Sequence, residues 1–374
     1  MERSKVFFTD MRALPGTSLP DKLKKLIKKA GIGDIDFEKK MTAIKIHFGE
    51  PGNLSFLRPN YAKAVADVVK DLGGRPFLTD CNTLYVGRRK DALEHLSAAY
   101  ENGFNILSTG CHIIIGDGLK GTDDVAVPVE GGELVKEAKI GKAIMDADVF
   151  ISLSHFKGHE MAGFGGCIKN IGMGCGSRAG KMEQHNSGKP SVDESLCVGC
   201  RVCSKNCAHG AISFPEKKAV IDHSKCVGCG RCLGACNFDA VYNENSSAAK
   251  ELNIKMAEYT KAVVDGRPAF HINLVIDVSP YCDCHAENDA PILPDVGMFA
   301  SFDPVALDQA CVDACNACEP LPGSLLHDHM HEEGFCDHHD HFVNTTPESE
   351  WETCLAHAEK IGLGSREYEL IKVK

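Results

Sequence analysis

VFISLS at 149–154 runs directly into HFKGHEMAGFGGCIKNIGMGCGSRAGKMEQH at 155–185, and this junction decides how the rest of the chain is read. The apolar run predicts a strand from Val149 to Leu153. Ahead of it, β-branched runs predict strands over Lys5 to Thr9, Thr42 to Phe48, Pro76 to Asp80, His112 to Ile115 and Val125 to Val129. Amphipathic stretches between them predict helices over Pro20 to Ala30, Pro59 to Leu72, Arg88 to Asn102 and Lys139 to Ala147. Proline in the first turn starts two of these. Strands alternating with helices imply an α/β fold, a mostly parallel sheet covered by helices. In open sheets of this kind ligands bind beyond the carboxyl ends of the strands. The stretch after Ser154 therefore stands where a site forms. Glycines 163, 165 and 166 free the backbone to wrap an anionic group, and Lys157, Lys169, Arg178 and Lys181 supply positive charge. His155, His159 and His185 offer acid/base or metal-ligand chemistry. The blander reading is a Gly-rich loop with surface charges; the concentration of polar groups favours a site.

A repeat interrupts this pattern. CVGCRVCSKNCAHGAISF at 197 is echoed by CVGCGRCLGACNFDAVYN at 226, and each copy has the form C-x2-C-x2-C-x3-C. That spacing sets three thiolates around one iron–sulfur cube and sends the fourth to another. One [4Fe-4S] cluster would then take Cys197, Cys200, Cys203 and Cys236, and a second Cys226, Cys229, Cys232 and Cys207. Glycines 199, 228 and 230 let the loop backbone approach the sulfides. Zinc is disfavoured, because it usually takes two spaced pairs of ligands. The chain thus divides into a first α/β part (1–189), an inserted α+β ferredoxin-like module (190–245) and a second α/β part (246–374). The last part has a predicted strand from Phe270 to Val278, a helix from Asp303 to about Cys315, a His-rich loop at 327–341 and a final helix near Pro347 to Ile361.

Composition agrees with this division. The chain has 374 residues, 43% hydrophobic, enough for one large and one small core. No apolar run approaches the roughly 18 residues that cross a bilayer. The start, MERSKVFFTDMRALPG, lacks the layout of a signal peptide. The expectation is a soluble cytoplasmic protein with no membrane partner. A net charge of -11 without a basic stripe argues against nucleic acid. LKKLIKKA at 23–30 reads as a solvated helix face with Leu23, Leu26 and Ile27 turned inward. Nineteen cysteines at metal-ligand spacings in a long chain point to metal binding in a reducing compartment rather than to a disulfide framework.

At HFGEPGN (47), GDGLKG (116), SHFKGHEMAGFGGCIKNIGMGCGSRAGK (154), SPYCDC (279) and SFDPVALDQAC (301) the chain resembles the iron–sulfur members of the domain-of-unknown-function family 362. The resemblance covers most of the chain and implies a fold and a cofactor, without an agreed reaction. The Cys module resembles bacterial two-cluster ferredoxins, except that Ala208 and Asn237 stand where proline commonly follows the fourth Cys. A more distant similarity is to nickel-pincer lactate racemases. It rests on His159, GFGG, Lys169 and His185 at matching spacing. It implies Lys169 as a cofactor-attaching or anion-binding lysine, His185 as a metal ligand and His159 as an acid/base. Asn170 after Lys169 departs from that pattern, and His112 is the nearest counterpart of the family's other histidine.

Cys282 and Cys284, beside His285, follow a predicted strand end; they suit a further metal ion, a substrate contact or ordinary buried thiols. Cys311, Cys315 and Cys318 fall on one face of a predicted helix, which favours core packing over a third cluster. HDHMHEEGFCDHHDH at 327–341 is a weak metal-binding tract or a polar loop. Together these features suggest an oxidoreductase in which two [4Fe-4S] clusters pass electrons from a redox partner to a small anionic substrate, with His155, His159, Lys169 and His185 at the reacting end. Two alternatives stay open: an electron carrier without chemistry of its own, and a metal-dependent isomerase resembling the pincer enzymes. The sequence sets no oligomeric state.

Overall fold

The computed structural model describes residues 3–84, 87–185, 189–205, 207, 209–226, 232, 236, 238, 240–243 and 248–374. Its main feature is an eight-stranded sheet. In spatial order the strands are Tyr368–Lys372, Ser4–Thr9, Gly297–Ser301, Ala269–Val275, Val149–His155, Met41–Lys45, Arg75–Asp80 and His112–Ile115. Only Gly297–Ser301 runs antiparallel to its two neighbours; the remaining pairings are parallel. The expected α/β class with a mostly parallel sheet is therefore what the chain forms.

Each face of the sheet carries its own core, as period-two alternation requires. Val149, Ile151 and Leu153 enter one core with Leu23, Leu26 and Ile27 from the Leu19–Lys29 helix, while Phe150 enters the other. Those three helix residues are fully buried, each contributing roughly 1.5–3 kcal/mol. Ser18 and Asp21 form a capping box that starts the helix. Its lysines face solvent and pair with Asp10, Asp67 and Asp71, as a solvated face should. The second core lies under the Cys167–Cys175, Ala248–Val264, Pro304–Asn316 and Trp351–Lys360 helices. Cys311 and Cys315 are buried within it, in accord with the helix-face reading of that motif.

Three local expectations change. The 139–147 helix shrinks to one turn, Lys142–Met145: before it Glu137–Gly141 pairs antiparallel with Asp124–Pro128 in a separate two-stranded sheet, where Ala138 and Ile140 bury with period two. The 88–102 helix begins only at Ala92, where the Asp91 carboxylate caps the Leu93 and Glu94 amides. The Gly-rich stretch is ordered structure rather than a loop. It forms a Lys157–His159/Gly163–Gly165 hairpin, then helices at Cys167–Cys175 and Arg178–His185.

Pro190–Val192 pairs antiparallel with Val241–Asn243, so the chain enters and leaves the cysteine-rich segment at adjacent points. Between them Ile212–Ser213 pairs with Val220–Ile221. Among the described residues no helix is long and apolar enough to cross a membrane.

Candidate functional site

Parallel strands point their carboxyl ends the same way, and three of them deliver polar side chains to one place. Lys45 ends its strand fully buried, with Nζ 3.0 Å from Asp80 Oδ1 and donating to Asn170 Oδ1 at 2.8 Å. Asp80 ends the next strand, with Arg89 and His95 also facing it at 3.8 Å. Burial works against its charge, yet Lys45, His95, Lys181 and Arg89 together hold the carboxyl below its usual range. Arg89 is buried and donates to Glu50 Oε2 at 2.8 Å. His47 lies among these cations; burial and then Arg89, Lys157, Lys45 and Lys169 hold its imidazole well below the usual value.

His155 ends the central strand. Its Nδ1 faces both Asp283 oxygens, at 2.9 and 3.0 Å, and its Nε2 lies 2.8 Å from the Ile276 carbonyl. Both ring edges are thus engaged, which makes His155 a residue that fixes Asp283. Lys157 assists, donating to the His155 carbonyl and standing 3.6 Å from Asp283. Asp283 in turn fixes the backbone between Cys282 and Cys284.

The remaining groups converge around Lys169. Its Nζ donates to Cys282 Sγ at 3.4 Å, and Cys282 and Cys284 are in hydrogen-bond contact. His159 Nδ1 accepts from the Met161 and Ala162 amides at 3.1 Å, which leaves Nε2 to carry the proton, 3.6 Å from Glu160. Burial, then the Lys169 charge, pushes His159 down to about 4. His185 lies in the field of His159 and Lys169, and burial pushes it to about 3. Both imidazoles are therefore neutral near pH 7. His285 behaves oppositely: Nε2 sits 2.8 Å from Glu160 Oε1, and that carboxylate raises it to about 9. His159, Lys169, His185, Cys282 and Cys284 thus form one neighbourhood, which spacing alone did not establish. The sequence reading named His285 only as the neighbour of the two cysteines and missed Glu160, Lys45 and Asp80; only the juxtaposition of strand ends makes them part of it.

The glycines serve a different purpose from the one expected. Asp308, from the Pro304–Asn316 helix, accepts from the Cys167 and Ile168 amides at 2.7 and 2.9 Å. The protein's own carboxylate therefore takes the amides that follow Gly166, at the start of the Cys167–Cys175 helix, where the glycines were expected to wrap an external anion. A Cβ at Gly166 would fall 2.3 Å from Asp308 Oδ1, and one at Gly174 would fall 2.4 Å from Lys45 Nζ. Lys181 is likewise committed, donating to the Gly174 and Gly176 carbonyls. His112 opens its strand exposed, and it is Ile115 at the other end that pairs with Asp80, so His112 is not part of this neighbourhood.

Elsewhere, the His-rich tract is divided between the Leu325–Met330 helix, a loop and the start of the His341–Thr345 helix. In the cysteine-rich segment Cys197, Cys203 and Cys232 are buried with Ala219, Ala240 and Val241, and Cys200 is exposed. Cys229 lies outside the described residues. Among the described residues no three His, Cys, Asp or Glu side chains are grouped tightly enough to hold a metal ion.

These features define an α/β protein with a polar site at the carboxyl ends of its central strands. The chain belongs to the family described as Domain of unknown function (DUF362), which matches residues 42–313. No curated protein matches it. Among solved structures it is similar to the lactate racemase apoprotein from Thermoanaerobacterium thermosaccharolyticum, with 13% identity and a TM-score of 0.40, over 73% of this chain and 51% of that one. It is also similar to a structural-genomics protein from Thermotoga maritima, with 13% identity and a TM-score of 0.37, over 79% and 57% of the two chains. The chain thus spans little more than half the length of either.

Proposed function

We propose that this chain is an iron–sulfur protein in which residues 190–245 hold two [4Fe-4S] clusters and serve a small anionic substrate at the Lys169–Cys282 site. Cys197, Cys200, Cys203 and Cys236 would hold one cluster, and Cys226, Cys229, Cys232 and Cys207 the other. The observation that carries the reading is the doubled motif together with the surroundings of Cys203. Burial raises the Cys203 thiol, the Ser204 amide lowers it, and Cys200, Cys197 and Cys236 lie near enough to raise it further. These are the four members of one proposed set, drawn from both repeats. The Ala219 amide donates to Cys197 Sγ and the Ala211 amide to Cys207 Sγ, each at 3.4 Å, the N–H···S bonds that stabilise ligating thiolates. A cube spreads its four thiolates over its corners instead of drawing them around one ion.

The clusters, when bound, supply one-electron reducing power. The chain's own residues do the rest. Lys169, Lys157 and Lys45 hold negative charge at the strand ends. Neutral His159, with its proton on Nε2, can donate to a bound oxyanion. The test is iron content and paramagnetic resonance of anaerobically purified, reduced protein. About eight irons per chain in cubane clusters are expected, and zinc alone overturns the reading. Lys169→Ala should abolish electron transfer to substrate while leaving the cluster signals intact. Unchanged transfer to every acceptor would instead make the chain a carrier.

A further inference from the structure

Burial ordinarily makes a thiol inert, and it does so here for Cys81, Cys167, Cys311 and Cys315, all of which are pushed well up. Cys282 is just as buried and goes the other way. Its neighbour Cys284 donates to it, and against the cost of burial the Lys169 and Lys157 side chains draw its thiol well below the usual value. Cys284 is pushed up correspondingly, so the pair shares one proton with the charge on Cys282. The geometry is held from three sides. Lys169 meets Cys282 Sγ at 3.4 Å, Asp283 between the two thiols is pinned by His155, and the Gly158 backbone lies so close to the Pro280 carbonyl that a Cβ there would be 2.4 Å from it. Cys282 is enclosed, whereas Cys284, His285 and Lys169 are partly exposed.

We infer that Cys282 and Cys284 are a redox-active dithiol that reduces the disulfide of a small anionic thiol compound. Asp283 offsets Lys157, and Glu160 and Glu287 face protonated His285 at 2.8 and 3.6 Å, so the cation that meets an incoming anion at the pair is Lys169, whose own contact is the Cys282 thiol. The chemistry balances on the protein's own groups. Accessible Cys284 attacks one substrate sulfur while its proton passes to the Cys282 thiolate. A Cys284–substrate disulfide forms, and the first substrate thiolate leaves. That thiolate takes the proton from Cys282, which then attacks the Cys284 sulfur, closes a Cys282–Cys284 disulfide and expels the second thiolate. One disulfide has become one thiol and one thiolate, and the dithiol has lost two electrons. The inference rests on the proposed function only for the two electrons and one proton that restore the pair.

The test uses full-length, anaerobically purified protein. After equilibration with oxidised dithiothreitol, the sample is denatured, alkylated and mapped by mass. Loss of both labels from the 282–284 peptide together, with a two-dalton deficit, is expected. Two labelled thiols under excess oxidant overturn the proposal, whether or not iron is present, so its failure is distinct from failure of the cluster reading. In the second arm the pre-reduced protein meets 3,3′-dithiodipropionate or cystamine. The anionic disulfide should oxidise the pair on the order of tenfold faster, and equal rates overturn the assignment of substrate charge. Lys169→Met should move the pH midpoint of thiol alkylation upward, because it removes the cation that favours the thiolate; an unmoved midpoint removes Lys169 from the site.

Discussion

Lys45 shows what a single buried charge does in this fold. Replacing it by Met keeps the volume but leaves Asp80 buried with Arg89, 3.8 Å away, as its nearest remaining cation, since burial pushes the neighbouring His95 down to about 3 and leaves it neutral. Breaking such a pair costs about 3–5 kcal/mol, so Lys45→Met should lower the urea midpoint accordingly; a midpoint within error of wild type would mean that Arg89 alone satisfies Asp80. The His285–Glu160 pair gives a pH signature. His285 is raised to about 9, so its contribution is fully present below its ordinary 6.5 and is lost as pH rises through about 9. Glu160 is lowered, so its contribution is present above its ordinary 4.5 and is lost as pH falls below that. Melting curves of wild type and Glu160→Gln should therefore differ most between those two ordinary values and converge above about 9. A constant difference across pH would assign Glu160 a purely steric role. In the sequence Cys282, Cys284 and Lys169 already stood out as chemistry-bearing residues. Lys45 did not, because a lysine inside a predicted strand declares no partner.

At the scale of elements, the Cys167–Cys175 helix is the instructive case. Gly172 and Gly174 each cost about 1 kcal/mol of intrinsic helix propensity relative to Ala, and on that ground the stretch reads as loop. Packing overrides propensity. Gly172 lets the Ala248–Val264 helix cross so closely that a Cβ would lie 2.2 Å from the Met256 carbonyl oxygen, which is backbone and cannot turn aside. Gly172→Ala should thus destabilise the protein by roughly 1–3 kcal/mol despite the better helix former, as read by chemical denaturation; a gain in stability would show that the two helices can separate without loss. The predicted 139–147 helix, of which only Lys142–Met145 forms, has the opposite lesson. Its residues tolerate a helical period, and what chose the strand was a partner, Asp124–Pro128, whose pairing a local reading could not foresee.

At the scale of the whole molecule, the pairing of Pro190↔Asn243 and Val192↔Val241 closes the cysteine-rich segment at its base. Replacing residues 193–240 by a short Gly-Ser linker should leave the eight-stranded sheet folded, with cooperative unfolding by circular dichroism; collapse of the sheet signal would make the segment part of the main core. If clusters organise that segment, stripping iron with a chelator and oxidant should open new protease cuts within 190–245 while the flanking chain stays protected. Cuts appearing equally throughout would contradict the division into parts.

By itself the sequence determined the α/β class, the strands of the central sheet that carry long apolar runs, and the doubled cysteine motif, because each of these is written in local spacing. It also placed His159, Lys169, His185, Cys282 and Cys284 among the groups able to do chemistry. Only the tertiary structure decided that these five stand together, that Asp308 takes the amides after Gly166 where the glycines were expected to wrap an anion, and that Gly297–Ser301 and Tyr368–Lys372 complete the sheet. The reason is physical. Periodicity reports which face a residue turns inward, whereas the charge on a buried thiol depends on which distant lysine is folded against it.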